Sequence, residues 1–256
     1  MLYGICNLSI VSLRLEPSDQ SELISQVLFG EFFKVLERRT HWSKVRLAFD
    51  KFEGWIDNKQ FIEITNEEYD ELSNSEIKTS NELINFISDS DQNLTPIPLG
   101  ASLPYLNKNI LKIGTTDFSF EGDVTVGIKH KSKIIELAFM YLNSPYLWGG
   151  KTPFGIDCSG LTQMVYKLCG YKLLRGAAEQ ATQGEVLSFI EESEPGDLAF
   201  FDDRDGNIVH VGLIMRDNYI IHAHGKVRID RIDHSGIYNI DTKRHTHKLR
   251  VIKKVI

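Results

Sequence analysis

One cysteine at the start of a helix, followed by two histidines on later strands, constrains this chain more than any other feature. The run Tyr146-Leu147-Trp148-Gly149-Gly150 leads into Asp157-Cys158-Ser159-Gly160; His210-Val211-Gly212 and Ile221-His222-Ala223 follow. Leu161, Met164, Val165 and Leu168 recur at helical spacing behind Cys158, and Gly170 stands where a C-terminal cap is expected. The rest of this half reads as strands separated by turns. Pro195-Gly196 precedes an apolar run over 197–201, Asp203 to Asn207 precedes one over 208–214, and Asp217-Asn218 precedes one over 219–222. Helices first and a β meander after them predict an α+β fold for residues 128–256.

Upstream, residues 1–63 alternate short apolar runs with turn residues, the pattern of a small all-β barrel. Residues 64–127 begin polar. Thr65-x-x-Glu68 and Thr79-x-x-Glu82 are candidate capping boxes for short helices. β patterning then returns, with strands expected over 110–113 and 123–126, and a second, degenerate module of the same kind is expected there.

Cys158 at a helix N-terminus is placed for a thiolate, because the helix dipole favours an anion there. Alone it reads equally as a small buried core residue. His210 sits in an apolar strand, where an imidazole needs a polar partner. Beside Cys158 it can take the thiol proton and return it to a leaving group. If the two strands pair antiparallel, His222 shares a face with His210 and can fix its tautomer and tilt. Tyr146 is expected to aim its hydroxyl at the site, forming an oxyanion hole with the Cys158 N–H, whereas Trp148 is expected to pack. His222 and His224 alternate on one strand face and could hold zinc with Cys158 or His210. No Cys-x-x-Cys or His-Glu-x-x-His pattern accompanies them, so no metal and no cofactor are expected.

The ordered series Pro-Tyr-Leu-Trp-Gly-Gly, Asp-Cys-Ser-Gly-Leu, Arg175, Gln180, Gly196 to Phe201, His210-Val211-Gly212-Leu213 and Ile221-His222-Ala223 resembles the NlpC-type papain-like cell-wall peptidases over about half the chain. Gly30-Glu31 before a Val-Leu strand, the Trp42-x-Lys44-Val45 strand and Gly54-Trp55-Ile56 resemble a bacterial SH3-like domain. The resemblance implies a papain-like domain behind one or two SH3-like barrels. It implies cleavage of peptidoglycan stem peptides between γ-D-Glu and the diamino acid, with Cys158 as nucleophile, His210 as base and His222 as third polar residue. SH3-like modules ahead of such a domain are similar to the YkfC-like branch, which acts on free stem peptides beginning with L-Ala. That branch implies Asp157 beside the substrate amine, helped by an acidic residue of the SH3-like domain, for which Glu16 is the candidate. Ser159 is carried with these as a substrate contact. Gly176-Ala177-Ala178 after Arg175 departs from the short polar residue often found there. Arg175 itself suits a substrate carboxylate or a structural ion pair equally. The alternatives are a peptide-binding module and an acyl- or amide-transfer enzyme on the same fold.

The net charge of −6, with scattered Lys and Arg, gives no basic face for nucleic acid. Three cysteines, Cys6, Cys158 and Cys169, argue against a disulfide framework and suit a reducing compartment. With Met1 as the native start, a poor signal peptide and no membrane-length apolar run, a cytoplasmic monomer is expected. A periplasmic or secreted protein with another start would read the same.

Overall fold

Short apolar runs between turns build the first of two units in the computed structural model, which describes residues 1–256; the units are Met1–Ile128 and Lys129–Ile256. In the first, β1 (Leu2–Ile5), β2 (Ile10–Arg14), β3 (Leu23–Leu28), β4 (Phe32–Arg38), β5 (Trp42–Leu47), β6 (Glu53–Asp57) and β7 (Ile62–Ile64) form one sheet, in the order β3-β2-β6-β5-β4-β1-β7. Alternation along β2 turns Val11 and Leu13 inward, against Val27, Phe33, Val45 and Ile56.

Helix α1 (Asn66–Asn74) starts at the expected capping box: Thr65 Oγ1 accepts from the Glu68 N–H, and Glu68 reaches back to the Thr65 N–H. The second candidate box does not form. Thr79 lies instead in β8 (Lys78–Ser80), paired with β13 (Val124–Val126), and its side chain is buried. Two strand partners outcompete a lone cap. A four-stranded sheet holds β9 (Ile84–Ser88), β10 (Leu94–Pro98), β11 (Ile110–Ile113) and β12 (Thr116–Ser119) in the order β10-β9-β12-β11. Its Ile87, Ile97 and Leu111 share one core with Tyr3, Ile5 and Phe29 of the first barrel.

The second unit opens with α2 (Lys133–Phe139), the short hairpin β14 (Lys151–Thr152) and β15 (Gly155–Ile156), α3 (Cys158–Leu168) and α4 (Ala177–Gln180). The strands β16 (Glu185–Leu187), β17 (Leu198–Asp202), β18 (Ile208–Ile214), β19 (Tyr219–His224), β20 (Lys226–Asp233), β21 (Gly236–Asn239) and β22 (Arg244–Lys254) follow. Their order is β16-β22-β17-β18-β19-β20-β21, and β21 also pairs with β22, so six of them close into a ring. Ala199, Phe201, Ile214, Ile220, Ile232, Ile237 and Ile252 fill its interior. Every residue of α3 is buried, Lys167 included, so this is a central helix rather than a one-sided amphipathic one. It ends at Gly170, whose φ of 84° the C-terminal cap requires. No helix is long and apolar enough to cross a membrane.

Candidate active site

The N-terminus of α3 is fixed before any chemistry is considered. Asp157 caps it: Oδ1 accepts from the Gly160 N–H at 2.6 Å, and Oδ2 accepts from the Gly149 N–H at 2.8 Å. Arg175 closes the arrangement with a fork, Nη1 to Asp157 Oδ1 at 3.0 Å and Nη2 to Oδ2 at 2.7 Å. The Ser159 hydroxyl donates to Asp157 Oδ1 and accepts from Arg175 Nη1. Gln180 Nε2 donates to the Ser159 carbonyl and ties α4 to this turn. Gly160 is obligatory, because a Cβ there would lie 2.2 Å from the Gly150 carbonyl oxygen. The glycines of the two sequence motifs thus let the loop and the helix start meet.

Cys158, 5% exposed, projects from this turn toward β18, where its sulfur meets the backbone N–H of Val211 as well as that of Ser159. The residue before Val211 is His210, so the thiol lies beside the histidine strand. The helix dipole by itself predicts a lowered thiol. Burial overrides it and, with the Asp157 carboxylate nearby, pushes Cys158 up to about 12 against the pull of the Val211 N–H, Arg175 and the Ser159 N–H. The resting side chain is a thiol, not the thiolate that the helix start alone predicts.

β18 and β19 pair antiparallel with Gly212 opposite His222, so His210, two residues from Gly212, shares a face with His222. His210 Nε2 lies 2.8 Å from His222 Nδ1, with the rings at 85°. The other ring nitrogen of His222 lies 3.1 Å from Asp230 Oδ2. With both nitrogens engaged, His222 has none left to ligate zinc. Burial holds His210 well below the usual imidazole range, helped by His222, His247 and His224. Burial also lowers His222, although Asp230 pulls the other way. A neutral imidazole on the strand that the neutral thiol adjoins is the state from which a general base acts.

Two neighbours of this pair carry no signal in the sequence motifs. Asp230 of β20 is fully buried; it accepts from Arg228 Nε at 2.7 Å and Nη2 at 2.9 Å and from the Ile240 N–H at 3.0 Å. Burial would raise its carboxyl, but His222, Arg228 and the Ile240 N–H outweigh burial and hold it well below the usual carboxylate range. His247 of β22 stacks on His210, ring centroids 4.2 Å apart and planes 24° from parallel. Burial, then His222 and His224, push it down to about 4.

Tyr146 is held by its own backbone, which donates to the Gly225 carbonyl in the β19–β20 turn, while Leu147 donates to Ile156. Burial, with Cys158 and Asp157 close by, pushes the Tyr146 phenol up to about 12, so it stays a hydrogen-bond donor near the thiol. Trp148 is more than half exposed. Tyr146, Asp157, Cys158, Ser159, His210 and His222 therefore gather in the second unit. Glu16 lies in the first, exposed in the turn between β2 and β3, where its N–H donates to Ser21 Oγ.

A helix-borne thiol set against a strand-borne imidazole pair on a papain-like α+β unit defines a cysteine peptidase. Residues 143–247 match the NlpC/P60 family, and residues 13–61 match the bacterial dipeptidyl-peptidase SH3 domain. The chain thus carries an NlpC/P60 domain, with that SH3-like domain ahead of it. It is 28% identical over 244 residues to dipeptidyl-peptidase 6 of Lysinibacillus sphaericus, across 84% of each chain. It is 26% identical over 235 residues to the gamma-D-glutamyl-L-lysine dipeptidyl-peptidase of Bacillus cereus, across 82% of this chain and 70% of that one. Its fold is similar to the crystal structure of an NlpC/P60 family protein from Bacillus cereus, with a TM-score of 0.82 over 99% of both chains; at 18% identity this likeness shows the fold alone.

Proposed function

We propose that this peptidase hydrolyses the bond between γ-D-Glu and the diamino acid in peptidoglycan stem peptides that begin with a free L-Ala. The observation that carries the bond specificity is the likeness, over most of the chain, to a relative named gamma-D-glutamyl-L-lysine dipeptidyl-peptidase. Cys158 is the nucleophile. As its sulfur attacks the γ-carbonyl carbon, its proton passes to His210 Nδ1, the nitrogen that His222 leaves free. The carbonyl oxygen becomes an oxyanion facing the Cys158 N–H, one of the helix-start donors with no intrahelical acceptor, and the Tyr146 hydroxyl. His210 then protonates the leaving amine as the C–N bond breaks, and water, deprotonated by the same ring, releases L-Ala-γ-D-Glu.

The amine end is read by Tyr146, Asp157 and Ser159. Asp157 already accepts five hydrogen bonds on its two oxygens, so a substrate ammonium must displace one donor to reach it. We place the activity in the cytoplasm, in the recycling of wall peptides, since three buried cysteines outside any disulfide suit a reducing compartment.

Incubating the protein with L-Ala-γ-D-Glu-L-Lys and L-Ala-γ-D-Glu-diaminopimelate, with Cys158→Ala as blank, tests this by product mass. L-Ala-γ-D-Glu is expected from the wild type and none above background from the variant. Binding without cleavage would make the chain a peptide-binding module, and a product carrying an added amine would make it a transferase.

A further inference from the structure

Beyond the thiol and its histidine pair, a buried chain of hydrogen bonds continues to a carboxylate. It runs from His210 Nε2 to His222 Nδ1 at 2.8 Å, and from His222 Nε2 to Asp230 Oδ2 at 3.1 Å. Arg228 and the Ile240 N–H close the remaining sites of that carboxylate, and Asn239 Nδ2 lies 3.5 Å from Oδ2. We propose that Asp230 is a positioning residue that fixes the proton order of both imidazoles through its bond to His222, so that His210 always turns an unprotonated Nδ1 toward Cys158.

The order follows from what each group can do. A carboxylate only accepts, so His222 must carry its proton on Nε2. A neutral His222 then has a lone pair on Nδ1, which only a donor can face. His210 must therefore carry its proton on Nε2, and its Nδ1 is left bare. Reverse the first bond and every later one reverses, leaving an N–H aimed at the thiol and no base. The same order serves the charged state. When His210 takes the thiol proton, its Nε2–H bond to His222 strengthens, and the negative charge of Asp230 lies one ring away. No proton needs to reach Asp230, since Arg228 and the Ile240 N–H keep it ionised. Asp230 thus acts through His222 and touches no substrate.

The charged and titratable groups around this chain come from every packed strand. Arg228 and Asp230 lie on β20, and Asp241, which lies 2.8 Å from Arg228 Nη2, follows β21. His222 and His224 lie on β19, and His247, stacked on His210, lies on β22. None of the imidazoles competes for Asp230, because His222 holds the nearest oxygen.

The inference rests on Cys158 and His210 as nucleophile and base, but its test needs no substrate. In the full chain labelled with 15N-histidine, NMR at pH 7.5 should show His210 and His222 both protonated at Nε2 and bare at Nδ1. Finding the proton of either ring on Nδ1 would overturn the proposal, whether or not any peptide is cleaved. In Asp230→Asn the amide can donate as well as accept, so His222 should show mixed tautomers. Its kcat should fall by about 10²-fold or more with KM within about threefold, as expected of a lost tautomer rather than a lost contact. Unchanged tautomers and kcat in that variant would also overturn it. If the variant fails to fold, the wild-type tautomers decide alone.

Discussion

Arg175 shows how much one side chain can settle at this site. Its guanidinium is buried, and its fork spans both oxygens of Asp157, the Ser159 hydroxyl and, at 3.4 Å, the Gly150 carbonyl. It therefore joins the glycine loop to the first turn of α3, and a substrate carboxylate would have to break that fork to reach it. A lysine supplies one point charge and cannot reproduce two parallel bonds. Arg175→Lys should lose about 1–3 kcal/mol and Arg175→Ala about 3–5 kcal/mol, because Asp157 is left buried without its cation. Urea unfolding of both variants measures this; values within about 0.5 kcal/mol of wild type would show that the pair is not structural. In sequence Arg175 suits a ligand or a salt bridge equally, and only the position of Asp157 in space separates the two.

At the scale of elements, the site depends on how β18 and β19 are spaced. Gly212 faces His222, and a Cβ there would lie 3.0 Å from His222 Cβ and 2.7 Å from Ile220 Cδ1. Both contacts involve side chains tied to the sheet, and His222 is further held by His210 and Asp230. Gly212→Ala should therefore cost roughly 1–3 kcal/mol by overpacking and tilt His222 off His210. The expected readouts are a lower unfolding midpoint and a kcat reduced more than KM is raised. A variant with wild-type kcat would mean that the ring geometry tolerates the shift. In the second unit β17, β18 and β19 are legible in the sequence because turn residues bracket each apolar run. β20 is not, although Lys226-Val227-Arg228-Ile229-Asp230 alternates as a strand should. Alternation assigns its polar residues to solvent, yet Ile220 pairs with Asp230 and His222 with Arg228, which puts both polar residues on the inner face. Barrel closure by β21 and β22 brings in His247 from a segment whose polar sequence gives no hint of the stacking. Cys158, His210 and His222 can be read from local motifs; their supporting partners depend on strand register, which a single sequence does not disclose.

Across the whole molecule the histidines are distributed unevenly. His41 is the one histidine of residues 1–128, and the chain's other seven lie in 129–256. Three of those, His210, His222 and His247, are held below the usual imidazole range, with burial the largest cause each time. The sign follows from proton counting. Below about pH 6.5 the unfolded chain protonates these rings while the folded unit does not, so the unfolded state binds more protons and stability falls with pH. Above about pH 6.5 both states are neutral there and the effect vanishes. For the two buried rings the loss is on the order of 1 kcal/mol per pH unit each, until the folded unit itself takes up protons. Asp230 adds a second loss at lower pH. Its carboxyl is depressed in the fold, so the stability it contributes is present above about pH 4 and lost as pH falls further. Mild acid should therefore weaken the catalytic unit before the SH3-bearing one. Hydrogen exchange, corrected for intrinsic rates, should show protection in 129–256 falling from pH 7.5 to 5.5 while that in 1–128 stays nearly level. His247→Phe, which keeps a ring over His210 but cannot titrate, should reduce the fall. No fall in the second unit, or one no larger than in the first, would mean that the folded rings take up protons about as readily as the unfolded ones, and the lowering of the buried imidazoles would have to be given up.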